Sequence, residues 1–276
     1  MKETLEGNLP LEDALPHIDR CLGCLACETS CPSGVSYRDL IGPFREKAAR
    51  ERKRSVGERF FRWFALGSLT RPGLFFRLAK IACFFKPLRN VLPSKLKLML
   101  ELIPDKPPSG MVLPVKTSPE GEARARVALV AGCAQSVLEP EIGIATISVL
   151  VRNGVEVVVP GGQSCCGALH WHSGEGERAR EFARNNLDGF TDEVDAIISN
   201  AAGCGSCLQE YPLVLKGDAR EKEAQLFSAK VCDFSVFLDK IGINGIPPAT
   251  KPIRVVYQDA CHLRHAQGVF AAPRKI

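Results

Sequence analysis

The chain has 276 residues, 45% of them hydrophobic and 24% charged, and a formal net charge of +5. This composition supports a sizeable core, excludes wholesale disorder, and leaves room for one large domain or two modest ones. The 12 cysteines stand mostly in short clusters. Since Met1–Pro10 has no apolar run of the kind found in a signal peptide, we expect a reducing, cytoplasmic setting in which clustered thiols bind metal.

Five regions follow one another along the chain. Residues 1–44 contain a ferredoxin-like cysteine motif, and residues 45–103 form a basic, aromatic segment with a mostly helical pattern. Residues 104–125 are rich in proline and glycine and are predicted to be a linker. Residues 126–245 are predicted to be an α/β domain, and residues 250–276 the start of an incomplete second one.

Strand and helix patterns alternate in the second half of the chain. Strands are predicted at Val127–Ala131, Val155–Val159, Ala196–Ser199 and Ile253–Tyr257. Helices are predicted near Glu139–Arg152, Gly176–Gly189 and Cys204–Leu215. Short β-branched strands separated by helices are typical of a parallel sheet. The predicted fold class is therefore α+β overall, with a small all-α ferredoxin-like region followed by an α/β domain built on a parallel sheet.

A weak internal repeat links the start of the α/β region to the end of the chain. Val127–Cys133 and Val255–Cys261 are both apolar strands that run into a cysteine, and the two cysteines are 128 residues apart. A second copy of the unit would begin at Ile253, from which only 24 residues remain. The repeat therefore predicts a second unit that is incomplete in this chain.

The basic charge is concentrated in one segment. Residues 45–98 carry 15 Lys and Arg against 3 Asp and Glu, a net +12, which leaves −7 for the rest of the chain. Its most apolar stretch, Phe60–Leu88, is interrupted by charges and by Pro72, so no membrane-spanning helix is predicted.

Three interpretations of this basic segment stay open: a solvated helical face, a docking surface for a partner subunit, and a helix lying on a membrane surface. The last two are favoured because aromatic residues interleave with the arginines, and nucleic-acid binding is disfavoured because no recognised binding fold accompanies the charge. The aromatic residues expected to face lipid are Phe60, Phe61, Trp63, Phe64, Phe75 and Phe76.

The first cysteine motif has the spacing C-x2-C-x2-C-x3-C-P. It comprises Cys21, Cys24, Cys27 and Cys31, followed by Pro32. Four thiolates in one run are typical of an iron–sulfur cubane, whereas a structural zinc site favours two separated pairs. The motif therefore predicts a [4Fe–4S] cluster.

The role of Cys31 stays open at this point. In two-cluster ferredoxins the cysteine before the proline ligates the other cluster. By that rule Cys31 serves a second cluster, and the chain begins after a missing first motif. The alternative is that Cys31 turns back and completes the cluster of Cys21, Cys24 and Cys27.

Five further cysteines form a second constellation with the spacing C-x31-C-C-G-x36-C-x2-C. They are Cys133, Cys165, Cys166, Cys204 and Cys207. Three of the cysteine positions closely follow a predicted strand, and the carboxyl ends of parallel strands share one edge of a sheet. Three loops can therefore bring five thiols together, whereas the alternative is that they are small buried residues of the core.

This second spacing resembles the CCG cysteine-rich domain shared by heterodisulfide reductases and the iron–sulfur subunits of glycolate and lactate dehydrogenases. Cys165–His172 and Asn200–Gly205 carry the likeness, and Asp19–Val35 resembles the second ferredoxin motif of the glycolate oxidase iron–sulfur subunit. Asp259–Leu263 resembles the opening of that subunit's second CCG unit. Because the family has two ferredoxin motifs and two CCG units, the chain resembles a fragment truncated at both ends.

The resemblance implies a function and a set of cofactors. The expected function is electron transfer from an FAD-containing partner subunit, which oxidises a 2-hydroxy acid such as glycolate or lactate, to quinone or another acceptor. The five CCG cysteines would bind a non-cubane iron–sulfur cluster, and Cys261 would belong to an incomplete second site. The chain itself has no nucleotide fingerprint, and peripheral contact with the inner face of the cell membrane is a further expectation.

Two alternatives are a heterodisulfide-reductase-like subunit that cleaves disulfides at the CCG cluster, and a non-redox metal-binding or gene-fragment module. The remaining candidates have weaker patterns. His170 and His172 flank the CCG turn and are interpreted as hydrogen-bonded structural residues in preference to a proton relay or a ligand-binding role. His262 and His265 stand in the incomplete second unit. Cys83 and Cys232 are predicted to be buried apolar residues.

Overall fold

The computed structural model describes residues 1–101, 103–105, 107–190, 193–243 and 254–276, with the backbone alone at 95 and 96. The N-terminal part is all helical within these ranges. Its helices are α1 (Lys2–Leu5), α2 (Leu11–Arg20), α3 (Ala26–Thr29), α4 (Arg38–Glu51), α5 (Val56–Leu69), α6 (Pro72–Phe85) and α7 (Ser94–Glu101), with a 3₁₀ turn at Lys86–Val91.

Prolines and a serine cap set the helix boundaries in the basic segment. Pro72 occupies the first turn of α6, where its missing N–H leaves no bond unmade. The side chain of Ser55 accepts a hydrogen bond from the backbone N–H of Glu58 and caps α5. Pro87 lies in the 3₁₀ turn, and Pro93 directly precedes α7.

The second half alternates strands and helices. The strands are β1 (Lys116–Thr117), β2 (Ala125–Leu129), β3 (Val155–Val158), β4 (Ala196–Ser199) and β5 (Val231–Asp233). The helices are α8 (Gln135–Leu138), α9 (Pro140–Arg152), α10 (Ala168–His172), α11 (Gly176–Gly189), α12 (Ala202–Gln209), α13 (Tyr211–Val214), α14 (Glu221–Lys230), α15 (Phe234–Ile241) and α16 (Ala272–Lys275), with a π-helical turn at His262–Ala266.

The five strands form one sheet in the order β1-β3-β2-β4-β5. The pairs β2–β3, β2–β4 and β4–β5 are parallel, as predicted, but β1 pairs antiparallel with β3. The sheet is therefore mixed. Sequence analysis missed β1, which lies in the predicted linker, and β5, because strands of two and three residues have too little periodicity to detect.

Apolar residues cover both faces of the sheet. Alternate residues of a strand point to opposite faces, so Val127 and Leu129 pack with Ile147 of α9 and Leu238 of α15. Ala128 packs on the other face. That second face also contains Cys165, Cys166 and Cys207, together with residues of α11, α12 and α14. The sheet therefore lies between two helical layers, and the cysteines belong to one of them.

Helix α4 joins the N-terminal region to the α/β region. Gly42 lies against the indole of Trp171, where an added Cβ would overlap the ring atom Cζ2. One turn further along α4, the Glu46 carboxylate accepts hydrogen bonds from Arg180 at 2.6 and 3.2 Å. It also lies over Gly176 at the start of α11. The first cysteine motif is thus held against the α10–α11 corner.

Two sequence-based expectations differ from the structure. Ile253 lies outside the described residues, and Arg254–Tyr257 form no strand, since no described strand pairs with them. Phe75 is 6% exposed and packs inward with Ala79, because it lies on the face of α6 that contacts α8. Within the described ranges, no helix combines the length and apolar character needed to cross a bilayer.

Candidate metal centres

The first cysteine motif forms a turn between α2 and α4, with α3 in its middle. Cys21, Cys24 and Cys31 are half-buried, whereas Cys27 is exposed. Gly23 and Leu25 have left-handed φ angles of 67° and 59°, and they bend the chain tightly between the thiols. A glycine adopts this conformation without strain, as the C-x2-C spacing of a cluster-binding turn requires.

Polar hydrogens are directed at the sulfur of Cys21. The backbone N–H of Gly23 donates to its Sγ at 3.4 Å, and the Tyr37 hydroxyl donates at 3.6 Å. Burial, followed by this hydrogen bond, raises the pKa of Tyr37 to about 12, so the hydroxyl remains a donor. Hydrogen bonds to ligand sulfurs are one of the ways in which proteins set the potential of iron–sulfur clusters.

Cys31 has a local environment that favours its thiolate. The backbone N–H groups of Val35 and Ser33 lower the pKa of this thiol below its usual value. A deprotonated thiol is the form that binds metal. The effect is compatible with both roles considered for Cys31.

The second constellation collects at the carboxyl edge of three adjacent parallel strands. Cys133 follows β2, Cys165 and Cys166 follow β3, and Cys204 and Cys207 lie in α12, which follows β4. The Sγ atoms of Cys133 and Cys165 are 3.4 Å apart. The Cys166 thiol interacts with the thiols of Cys165, Cys204 and Cys207. The structure therefore brings together the five cysteines that sequence analysis placed at this edge.

Burial and mutual contact control the protonation of these thiols. The hydrogen bond with Cys165, together with burial, raises the pKa of Cys133 far above its usual range. The hydrogen bond with Cys166 lowers the pKa of Cys204. The same kind of bond favours the thiolate of Cys207, but burial and the neighbouring negative charges together outweigh it and raise that pKa. Because buried thiolates repel one another, several can ionise together only when a bound cation compensates their charge.

The CCG turn is braced by two buried residues that sequence analysis missed. Asn186 of α11 donates to the carbonyl of Cys165 at 3.0 Å and to the hydroxyl of Tyr211 at 2.7 Å. Tyr211 in turn donates to the carbonyl of Cys166 at 3.0 Å. Both residues are at most 1% exposed. The only sequence signal for them was their place on the inward face of predicted helices.

The segment that follows Cys261 connects the two cysteine sites. His262 Nε2 lies 3.0 Å from the carbonyl of Gly23, and Thr29 Oγ1 lies 2.8 Å from His265 Nδ1. On its other side, Gln267 donates to the carbonyl of Ala202 at 3.0 Å, at the start of α12. Cys261 itself is exposed. Sequence analysis placed these histidines in an incomplete second unit and missed their contact with the first motif.

Four weaker candidates differ from their predicted surroundings. His170 Nδ1 and His172 Nε2 are buried and have no hydrogen-bond partner among the described residues, so these atoms lack the bonds expected of structural histidines. Burial, with the nearby His262, lowers the pKa of His172 to about 4. Cys83 and Cys232 are half-buried rather than fully buried, because Cys83 lies beside Pro104 and Cys232 is in the edge strand β5.

The donor atoms at both sites fit an iron–sulfur cluster. Each site offers cysteine sulfurs, and each has a backbone N–H directed at one of them, Gly23 to Cys21 and Gly167 to Cys165 at 3.5 Å. In the described part of the chain, no three His, Cys, Asp or Glu side chains are arranged around a single metal ion. Soft thiolate ligands favour iron–sulfur clusters, Zn²⁺ or Cu⁺, and the spacing of the first site favours the cluster.

Comparison with known proteins supports this assignment. The model of the CCG family, described as a cysteine-rich domain, matches residues 127–209. The probable glycolate oxidase iron–sulfur subunit of Bacillus subtilis (strain 168) is 36% identical over the whole chain, and the glycolate oxidase iron–sulfur subunit of Escherichia coli (strain K12) is 32% identical. Lactate utilization protein A 1 of Bacillus cereus (strain AH820) is 31% identical over 54% of this chain and 62% of its own length.

The fold and its thiol edge define a protein with a CCG cysteine-rich domain. Over its whole length, the chain is similar to the glycolate oxidase iron–sulfur subunits. It spans 66% of the length of the two subunits compared above. No solved structure matches the chain.

Proposed function

We propose that the chain is the iron–sulfur electron-transfer part of a 2-hydroxy-acid dehydrogenase. In the overall reaction a hydroxy acid such as glycolate or lactate loses two electrons and two protons to become a 2-oxo acid. A quinone or another two-electron acceptor takes up the two electrons and the two protons. The oxidation itself belongs to an FAD-containing partner subunit, and this chain conducts the electrons.

The cysteines hold the redox groups in this proposal. Cys21, Cys24 and Cys27 ligate a [4Fe–4S] cluster, with Cys31 either completing it or serving a second cluster. The second site uses the five CCG cysteines for a non-cubane cluster. When bound, such clusters accept and release single electrons. The N–H and O–H groups directed at Cys21 and Cys165 stabilise the more negatively charged, reduced state.

The observation that carries the proposal is the contact between the two thiol sites. The segment 262–267 bonds to Gly23 on one side and to Ala202 on the other. His172 and His262 also meet, with ring centroids 5.4 Å apart. The first site is open at Cys27, whereas most of the second is buried. Electrons therefore enter at the first site and pass inward to the second.

Replacement of single ligands tests both sites. Wild-type protein reconstituted under anaerobic conditions should hold about eight irons, with one ordinary cubane signal and one unusual signal in electron paramagnetic resonance. Cys24→Ser should remove the first signal and Cys166→Ser the second. Iron and acid-labile sulfide should fall by about half in each variant, because each loses one cluster.

Cys83→Ser and Cys232→Ser are the matched controls, since these half-buried cysteines belong to neither site. They should keep the full iron content. Equal iron loss in controls and ligand variants would contradict the assignment of sites.

A complex that reduces disulfides but shows no glycolate- or lactate-dependent dye reduction would favour the heterodisulfide-reductase-like alternative. A stable chain without redox-active iron would favour the non-redox module.

We further propose that the basic segment rests on an anionic membrane surface. On α5, Phe60 is 62% exposed, and on α6, Phe84 is 81% exposed. Helices α5 and α6 pack together, so these rings stand on one helical hairpin. Its net positive charge complements anionic lipid headgroups, and exposed aromatic side chains insert at the membrane interface.

A further inference from the structure

A cavity of about 440 Å³ lies between α5 and the corner formed by α10 and α11, outside both cysteine sites. Small-molecule sites in proteins usually measure about 300–1,000 Å³. One wall of the cavity is Phe182 of α11, which also lies against the CCG turn, since a Cβ on Gly167 would be 3.4 Å from the Cβ of Phe182. The cavity is therefore a separate space that shares a wall with the second cysteine site.

The rim of the cavity carries positive charge without matching carboxylates. Arg59 and Arg71 line it, are exposed, and form no ion pair with any residue that the structure describes. The guanidinium is a strong donor of paired hydrogen bonds to phosphate and carboxylate groups. Two such groups beside one cavity indicate an anionic ligand.

The other charges of the cavity do not cancel this excess. Glu175 lies 3.5 Å from Arg62, and Glu181 is paired with Arg178. Arg54 is close to further cations, and its pKa is lowered, first by burial and then by the charges of Arg62 and Arg52. The carboxylates of the cavity are thus already engaged, and positive charge remains uncompensated.

A buried histidine lines this space, and one of its ring nitrogens has no hydrogen-bond partner among the described residues. His170 lines the cavity and is 5% exposed, and its Nδ1 has no partner among the described residues. A buried polar atom without a partner is unfavourable, because it has given up its hydrogen bond to water. An acceptor or donor on a ligand would remove that cost.

Aromatic rings form part of the lining. Trp63 and Phe64 of α5 stand on one side, and Phe182, with its ring 5.3 Å from that of His170, on the other. Rings of this kind bind a planar group by stacking or edge-to-face contact. The lining therefore combines an anion-binding rim with an aromatic interior.

We propose that this cavity is a binding site for an aromatic anion, a planar ring that bears a phosphate or a carboxylate. The anionic group is held by Arg59 and Arg71 at the rim, and the ring lies among Trp63, Phe64 and Phe182. His170 Nδ1 forms a hydrogen bond with the ligand. The site is independent of the redox function proposed above, because none of these residues is a cysteine ligand.

Titration calorimetry of the full chain with 1-naphthyl phosphate tests this site. Inorganic phosphate and 1-naphthol are the matched probes, since each carries half of the ligand's chemistry. We expect 1-naphthyl phosphate to bind more tightly than either. The double substitution Arg59→Gln and Arg71→Gln should weaken that binding about tenfold or more, because two charge-assisted hydrogen bonds are lost.

Arg77→Gln is the control, since Arg77 is an exposed arginine of α6 that does not line the cavity. It should leave binding within about twofold of the wild type. His170→Gln should weaken binding in protein whose circular dichroism is unchanged. Absence of measurable binding, equal binding of 1-naphthol or of inorganic phosphate, or an equal effect of Arg77→Gln would each overturn the proposal.

Discussion

Glu46 shows how one side chain couples the two regions of the molecule. Its carboxylate, 14% exposed, pairs with Arg180, 19% exposed, and lies at the N-terminus of α11. The hydrogen bond from Arg180, ahead of the cost of burial, lowers the pKa of Glu46. The positive end of the helix dipole acts in the same direction. This ion pair is largely shielded from solvent, and it joins two helices, α4 and α11, that are far apart in sequence.

We predict that Glu46→Gln lowers the free energy of unfolding at pH 7 by about 1 kcal/mol. Because the folded-state pKa of Glu46 is lowered, its charge stabilises the fold above the unfolded-state pKa of about 4.3. That contribution is lost as the pH falls through the folded-state value. The difference between variant and wild type, measured by urea unfolding, should therefore shrink as the pH falls below about 4.3.

Glu51→Gln provides the control, since Glu51 is on the same helix and is well exposed. Among the residues that the structure describes, its ion-pair partner is Lys47, one turn away at 2.6 Å. Its effect at pH 7 should be less than about 0.5 kcal/mol. An equal loss of stability in both variants, or a Glu46→Gln effect that does not change with pH, would contradict the proposed role of Glu46.

At the scale of elements, α4 is positioned by a glycine. Gly42 lies in the middle of α4, where glycine is normally unfavourable, and it allows the indole of Trp171 to lie against the helix backbone. Sequence analysis had no signal for this contact, because Trp171 is 129 residues away. The close approach is what seats the first cysteine motif on the α10–α11 corner.

We predict that Gly42→Ala destabilises the protein by about 1–3 kcal/mol, because the added methyl group overlaps Trp171 and forces the helix away. Gly67→Ala in α5 is a matched substitution, since no neighbouring atom lies within 4 Å of the Cβ it would add. It should stabilise the protein by about 0.5–1 kcal/mol through the higher helix propensity of alanine. Chemical unfolding followed by circular dichroism measures both, and a neutral Gly42→Ala would show that the contact is not tight.

At the scale of the whole molecule, charge and aromatic surface coincide. Residues 45–98 hold a net +12 in a chain whose total is +5. Four neighbouring aromatic residues of α5 are exposed, whereas Phe75 is turned inward. Association with an anionic bilayer combines both features, since electrostatic attraction brings the surface close and aromatic insertion holds it there.

We predict that the chain binds phosphatidylglycerol vesicles in preference to phosphatidylcholine vesicles in a sedimentation assay. Binding should weaken at 1 M salt, where the screening length falls to about 3 Å. The double substitution Phe60→Ser and Phe84→Ser should reduce the partition coefficient about tenfold, because two apolar side chains no longer insert. Leu226→Ser on α14, where Leu226 is 73% exposed, is the control and should have no effect. Equal binding to both lipids would contradict the proposal.

The sequence by itself determined the features that depend on local spacing. The C-x2-C-x2-C-x3-C run identified the first site, and the β-branched strands before Cys133, Cys165 and Cys204 predicted the edge where the second site forms. Those signals repeat every two to four residues, so they can be read without knowledge of long-range contacts. The family resemblance rested on the same motifs, and the comparisons confirmed it.

Only the tertiary structure decided which distant segments meet. It placed His262 against Gly23 and Gly42 against Trp171, turned Phe75 inward, and left His170 lining a cavity together with arginines. It also added the short strand β1 antiparallel to β3. Such contacts depend on how helices pack and on pairing between residues far apart in the chain, and neither leaves a periodic signal in the sequence.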